Sequence, residues 1–421
     1  MTTEQTTSLL AGLAVMVLLA KLFGAVARRF GQPPVIGEVL AGIALGPTLF
    51  GGAISDVLFP SETRPLLSAL AAVGVAVFMF IVGLEWDAAL IRGSGAIALS
   101  VAICSIVLPF GLGTLLGLYL TDSYGQGGAR TPFILFMGIA MSITAFPVLA
   151  RILTDRGMSR SPLGVVALAC AANDDVLAWS LLAAVVAVSG AAGPDQWRIL
   201  LAVPFLLLML YVVRPLLRRA VERRTTPRLT PALFACLLAG LLLSAAATEW
   251  LGLHYIFGAF LFGVVLPRSG AGQLRTDVHQ RLGQLGDTLL LPVFFLVAGL
   301  QVDLSGVGMA GLGDLGLIML VAVGGKFLGA LAAARVNRMP WRQSAALATL
   351  MNTRGLTELI VLNLGLQLGF LDARLYTLMV VMAVVTTAMT GPLLTWILGR
   401  RADGGPADLS PAPAPGRSLL G

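Results

Sequence analysis

Between Ser8 and Gly399 the sequence divides into thirteen apolar runs separated by short polar breaks. Runs of this length cross the hydrocarbon layer of a bilayer as helices, and in lipid only helices or closed barrels can satisfy their own backbone. They cover about 8–28, 34–50, 66–85, 94–120, 131–153, 162–190, 198–216, 230–249, 254–268, 285–301, 311–335, 342–370 and 374–399. The expected fold is therefore an all-α polytopic membrane protein with about 13 transmembrane helices. Of the 421 residues 57% are hydrophobic and 12% charged, where a soluble domain carries roughly a quarter charged. The first run is followed by Arg28 and Arg29 without a small-residue cleavage site, so it reads as a span and not a removed signal peptide. Cys104, Cys170 and Cys236 all lie in apolar stretches, a pattern of neither disulfides nor metal ligands.

The arginines sort by loop. Alternate connections, from Arg28/Arg29 through the run Arg214 to Arg228 to Arg400, Arg401 and Arg417, hold 21 of them, against four (Arg64, Arg130, Arg198, Arg374) on the opposite side. The positive-inside rule places the N-terminus outside and the C-terminus in the cytoplasm. The net charge of +7 is then a topology signal with some attraction for anionic membrane lipid, and no nucleic-acid partner is expected. Residues 1–400 form one transmembrane domain, and 401–421 a short disordered cytoplasmic tail.

The chain also repeats itself. "IGEVLAGIALGP" at 36–47 resembles "FGAFLFGVVLP" at 257–267, and "FMFIVGLEWD" at 78–87 resembles "FFLVAGLQVD" at 294–303, at offsets of 221 and 216 residues. "MSIT" at 141 and "MNTR" at 351 fall at a compatible 210. Each pairing skips seven spans, an odd number, so the copies run oppositely through the membrane. Two inverted six-helix repeats, about 8–190 and 230–399, with a linker helix at 198–216, are the plan of secondary transporters.

Ionisable residues inside spans are costly and by default functional. Here they are Lys21, Glu38, Asp174, Asp175, Lys326, Arg354 and Glu358. Lys21 lies near a span end and can snorkel to the interface; Glu38 and Glu85 are expected at the interface as well. Lys326, in "VAVGGKFLGALAAA", is too deep for that and needs a carboxylate partner, Asp174 or Asp175. Adjacent helix positions point about 100° apart, so one acid pairs with Lys326 while its neighbour faces a cavity. Desolvation and an acidic neighbour both oppose a bare charge on that second acid, which then holds either a proton or a small cation. Spans 5 and 12 interrupt themselves: "MSITAFPVLAR" with Ser142, Thr144 and Pro147, and "MNTRGLTEL" with Asn352, Thr353, Arg354, Gly355 and Glu358. Pro147 removes a backbone donor, and non-helical backbone at this depth lines a cavity or is buried in protein. By the repeat, the two breaks should cross near the acids, with Arg354 and Glu358 four apart on one helix face.

These motifs, "QPPVIGEVLAGIALGP", "FMFIVGLEWD", "MSITAFPVLARIL", "NDDVLAW", "GLHYIFGAFLFGVVLPR", "LLPVFFLVAGLQVDL" and "MNTRGLTELIVLNLG", together resemble the monovalent cation/proton antiporter family, in the branch of plant cation/proton exchangers and bacterial potassium-efflux antiporters. The resemblance runs from about residue 8 to 400. It implies the sodium/proton antiporter-like fold, a six-helix core with crossed broken helices moving against a dimerisation domain, in a homodimer in a bacterial plasma membrane. It also implies that Asp175 is the ion- and proton-carrying aspartate, Asp174 its partner, Lys326 the lysine paired with Asp174, and Thr144 the broken-helix residue beside the site. Asn173 and Ser142 complete the ion-binding candidates, with Na+ or K+ at Asp175 as cargo. Pro147, Asn352, Thr353, Arg354, Gly355 and Glu358 support the breaks. No cofactor and no enzymatic reaction are implied. Potassium-type members often carry Asn-Asp or Gln-Asp where this chain has Asp174-Asp175. A coupled carrier of organic solutes is the alternative on this scaffold, but bulky substrates favour an apolar cavity without a lysine paired to the acids.

Overall fold

The computed structural model describes residues 2–85, 95–125, 130–158, 161–188, 198, 200–222, 229–267 and 272–399. The described residues are helical and connecting, with no strand. In chain order the helices are α1 (Thr3–Arg29), α2 (Pro34–Leu45), α3 (Ala53–Leu58), α4 (Arg64–Glu85), α5 (Gly95–Tyr124), α6 (Arg130–Ser142), α7 (Phe146–Asp155), α8 (Pro162–Val188), α9 (Ala202–Leu208), α10 (Arg214–Glu222), α11 (Pro231–Trp250), α12 (Tyr255–Val265), α13 (Gly272–Leu285), α14 (Leu291–Leu300), α15 (Met309–Val336), α16 (Trp341–Met351), α17 (Leu356–Gln367) and α18 (Ala373–Leu398). Where the described residues cover them, the thirteen apolar runs fall on one helix or on consecutive helical segments. Nine helices among the described residues are long and apolar enough to cross a membrane. The tail 401–421 lies outside the described residues.

The helices gather into two bodies. α1, α2, α4, α11, α12 and α14 pack into a panel, and α5, α6, α8, α15, α16 and α18 into a core bundle, with few contacts between the two. Within lipid there is no hydrophobic force between helices, so close packing decides which faces meet. In the panel several crossings rest on small residues, and two of them join the halves of the chain. A Cβ on Gly42 would lie 2.5 Å from the Leu296 carbonyl, and one on Gly83 2.1 Å from that of Phe260. The first crossing joins α2 to α14 and the second α4 to α12, so each element of the first copy of the repeat packs on the opposite element of the second. In the core, α5 packs on α15 on either side of Lys326, where a Cβ on Gly325 would lie 3.0 Å from Pro109 and one on Gly329 2.4 Å from the Cys104 carbonyl.

Two expectations change here. Glu38, expected at the membrane surface, is buried within the protein, 8% exposed, on the face of α2 turned to α1. Pro147 occupies the first turn of α7, where a missing N–H has no intrahelical partner to lose. It starts the second half of span 5 and does not break a running helix. Lys21 is exposed, and its ammonium donates to the Asp287 carbonyl at 3.1 Å.

Candidate functional site

Spans 5 and 12 both break in mid-course. α6 ends at Ser142 and α7 begins at Phe146; α16 ends at Met351 and α17 begins at Leu356. The two unwound stretches touch. The Ala145 amide donates to the Thr353 carbonyl at 2.9 Å, and the Thr144 hydroxyl lies 3.0 Å from the Met351 carbonyl. Gly355 takes φ 156°, and a Cβ there would sit 2.6 Å from Val148 Cγ2, so the sharp entry to α17 belongs to glycine.

A crossing of broken helices brings four helix ends into the membrane interior, each with unpaired backbone groups and a partial charge. The fully buried Arg354 plugs one of them: its guanidinium donates to the Ala140 and Met141 carbonyls, both at 2.7 Å, in the last turn of α6. The same guanidinium meets Glu358 at 3.0 Å, and Glu358 stands in the first turn of α17, where the helix end is positive. The Arg354 amide and carbonyl are both held by Thr387 of α18, at 3.1 and 2.6 Å.

The acids lie on α8 beside this crossing. Asp174 is fully buried and fully partnered. Lys326 donates to it at 2.9 Å and to Thr144 Oγ1 at 2.6 Å, while Thr144 in turn donates to Asp174 at 2.7 Å. Ser105 of α5 adds a donor within 3.0 and 3.1 Å of the two carboxylate oxygens. Asp175 differs from its neighbour. It is 5% exposed, and neither of its oxygens has a hydrogen-bond partner among the described residues. The backbone amide of Phe146, at the positive end of α7, acts on it electrostatically without reaching hydrogen-bond geometry.

Of the remaining candidates, Asn173 is buried next to the acids with its amide nitrogen unpartnered. Ser142 donates to the Ile139 carbonyl of its own helix at 2.8 Å, and so caps α6 without touching the acids. Asn352 caps α16, and its side-chain oxygen and the Thr353 hydroxyl are buried without partners. The crossing therefore gathers five buried ionisable side chains: Asp174, Asp175, Lys326, Arg354 and Glu358. With all of them ionised, two pairs cancel and one negative charge, on Asp175, is left over. Among the described residues there is no His, Cys, Asp and Glu cluster of the kind that holds a structural metal.

The sodium/hydrogen exchanger transmembrane model matches residues 14–400, which spans both bodies and the crossing. The chain belongs to the sodium/hydrogen exchanger family. Its members are transporters and not enzymes, and cation/proton exchange is the activity of this family. Among its relatives, the Na(+)/H(+) antiporter NhaS4 of Synechocystis is 39% identical over 92% of this chain and 97% of its own length. Cation/H(+) antiporter 17 of Arabidopsis thaliana is 37% identical over 91% of this chain and 47% of its own. The K(+)/H(+) antiporter 1 of Saccharomyces cerevisiae is 32% identical over 86% and 43%. The chain thus spans about half the length of the plant and yeast proteins. In fold it is similar to the sodium proton antiporter MjNhaP1 of Methanocaldococcus jannaschii, with a TM-score of 0.66 at 14% identity over 94% of this chain.

Ser105 escaped the sequence reading. A lone serine in an apolar helix usually bonds back to its own helix, and the Ser105 hydroxyl does lie 3.0 Å from the Ala102 carbonyl. Pro109, inside α5 one turn later, was the only signal near it.

Proposed function

We propose that the protein exchanges a monovalent cation, Na+ or K+, for protons by alternating access, with Asp175 as the shared binding group. What carries the reading is the contrast between adjacent acids. Asp174 has Lys326, Thr144 and Ser105; Asp175 has no side-chain partner among the described residues, only the nearby Phe146 amide. A bare carboxylate in a low-dielectric interior is costly unless a positive charge joins it, and either a proton or a monovalent cation meets that need. One excludes the other, which is the physical basis of exchange. The unpartnered oxygens of Asn352 and Thr353 are further oxygen ligands for a cation that enters the crossing.

The two panel crossings, α2 on α14 and α4 on α12, favour the inverted-repeat reading, in which 8–190 and 230–399 are the copies and 198–216 the linker. The N-terminus is taken as external from the arginine distribution. Two copies pair through the panel, where Leu10, Leu18 and Leu22 of α1 stand exposed; native mass spectrometry of the solubilised protein tests this. For the exchange itself, purified protein is placed in liposomes with a trapped pH dye and pulsed with Na+, K+, Li+ or Rb+. Alkalinisation by at least one of these ions, lost in Asp175→Asn, is the expected result. Proton movement with no cation present, or undiminished exchange in the variant, overturns the assignment.

A further inference from the structure

The core bundle and the panel meet edge-on at α18, and hydrogen bonds there join one body to the other at opposite ends of the same helix. Near its start, on the arginine-poor face, the fully buried Tyr376 donates through its hydroxyl to the Ala298 carbonyl in the last turn of α14, at 3.1 Å. Beside the Tyr376 bond the Asp303 amide, just after α14, donates to Thr377 Oγ1 at 3.2 Å. Toward its end, on the arginine-rich face, the Ala388 carbonyl accepts from the side-chain amide of Gln32, in the α1–α2 connection, at 3.1 Å. Twelve residues of helix separate Tyr376 from Ala388, about 18 Å.

The Gln32 bond depends on a proline. Pro392 lies inside α18, and residue 392 would ordinarily donate to the carbonyl of residue 388, four earlier. A proline has no N–H to give. The Ala388 carbonyl is thereby released toward the panel, and Gln32 takes it. The connection is shaped for this: Gly31 turns with φ 69°, the Gln32 amide closes back on the Ala27 carbonyl at 2.9 Å, and the Gly31 carbonyl lies close to Gly391 of α18. Between the Tyr376 and Gln32 bonds runs a small apolar crevice lined by Val35, Ile36 and Val39 of α2 and by Leu359, Ala383 and Thr387 of the core. Its far wall is Gly355, at the helix break. His254 and Gln367 also approach across the arginine-poor face, at 3.3 Å, but exposed.

We propose that Tyr376 and Gln32 are the two positioning residues of the exchange cycle: each clasps one mouth of the crevice, and the balance between them sets which face of the membrane the site opens to. The proposal rests on the alternating-access reading above. Either mouth can open only when the bonds that hold it break, and of those on the arginine-poor face the Tyr376 bond is the fully buried one. Loss of the Gln32 bond favours opening on the arginine-rich face and loss of the Tyr376 bond opening on the other. A purely structural role would give no such opposition of sign.

The experiment reads conformation and not transport, so its outcome is independent of whether Asp175 exchanges ions. In a background with Cys104, Cys170 and Cys236 replaced by alanine, Val35→Cys is labelled with a membrane-impermeant maleimide applied to the arginine-rich face. Gln32→Leu should raise the labelling rate, and Tyr376→Phe should lower it, each by about fivefold, the worth of one net hydrogen bond. Pro392→Ala returns a backbone donor to the Ala388 carbonyl and should mimic Gln32→Leu with Gln32 intact. In transport, the half-maximal cation concentration measured from the two faces should move in opposite directions in the two single variants. All variants are first matched for melting temperature, and Tyr376→Leu replaces any Tyr376→Phe protein that fails to fold. Labelling that shifts the same way in both variants, or not at all, overturns the proposal. So does a Pro392→Ala protein that labels like wild type.

Discussion

The Lys326 ammonium lies 2.9 Å from Asp174 and 2.6 Å from Thr144, all three side chains being buried. Breaking a buried pair by removing one member typically costs about 3–5 kcal/mol. Lys326→Ala should therefore lower the melting temperature. The stranded acid can recover by taking up a proton, which it does more readily at low pH, so the deficit should widen as pH rises. Adding Asp174→Asn removes the charge that needed a partner and should restore most of the stability. A double-mutant cycle on melting temperature at two pH values checks this; strictly additive effects at both would show that the two residues are not coupled.

Asp175→Asn should fold at least as well as the parent, because it replaces a bare buried carboxylate with a neutral side chain of the same shape. Exchange should vanish, since an amide neither takes up nor releases the competing proton. Dequenching of a trapped pH dye, beside a thermal melt of the same preparation, measures both effects.

Thr144→Val removes the hydroxyl that links Lys326, Asp174 and the Met351 carbonyl. It already accepts from Lys326 and donates to Asp174, so the loss should fall on stability, about 1–3 kcal/mol for a buried charged hydrogen bond. The half-maximal cation concentration should change little. A large weakening of cation affinity at unchanged melting temperature would instead make the hydroxyl a direct ligand.

Gly355→Ala meets two penalties: a φ of 156° and a Cβ 2.6 Å from Val148. A cost of about 1–3 kcal/mol is expected from the backbone alone. Val148→Ala should relieve the clash but leave the backbone cost, so the double variant should recover only part of the lost melting temperature.

Much of this was legible in the sequence because the bilayer makes it so. Thirteen apolar runs, a lone deep lysine and two acids where charge is costly leave few readings. The helix breaks were visible as polar residues at matching points of the two copies. Helix geometry alone did not say which acid takes Lys326, since neighbours about 100° apart are told apart only by where α15 packs; the family resemblance pointed to Asp174, and the pair forms. Ser105 was hidden because its chemistry depends on a facing helix and not on its own surroundings. Glu38 read as interfacial from its place near a span end, yet α1 covers it. Pro147 showed that the same residue either interrupts or begins a helix, and only the position of the unwound turn decides.

The odd charge count at the crossing bears on leakage. An exchanger protects a gradient only if it cannot return across the membrane unloaded. On the proposed assignment, with two pairs cancelled, an empty site would have to carry the lone charge of Asp175 through the interior, at a penalty of several kcal/mol for one uncompensated ion. Each 1.4 kcal/mol of that penalty slows the idle stroke about tenfold. Coupling thus needs no separate lock: the carrier without a passenger is the one that stays where water can reach it.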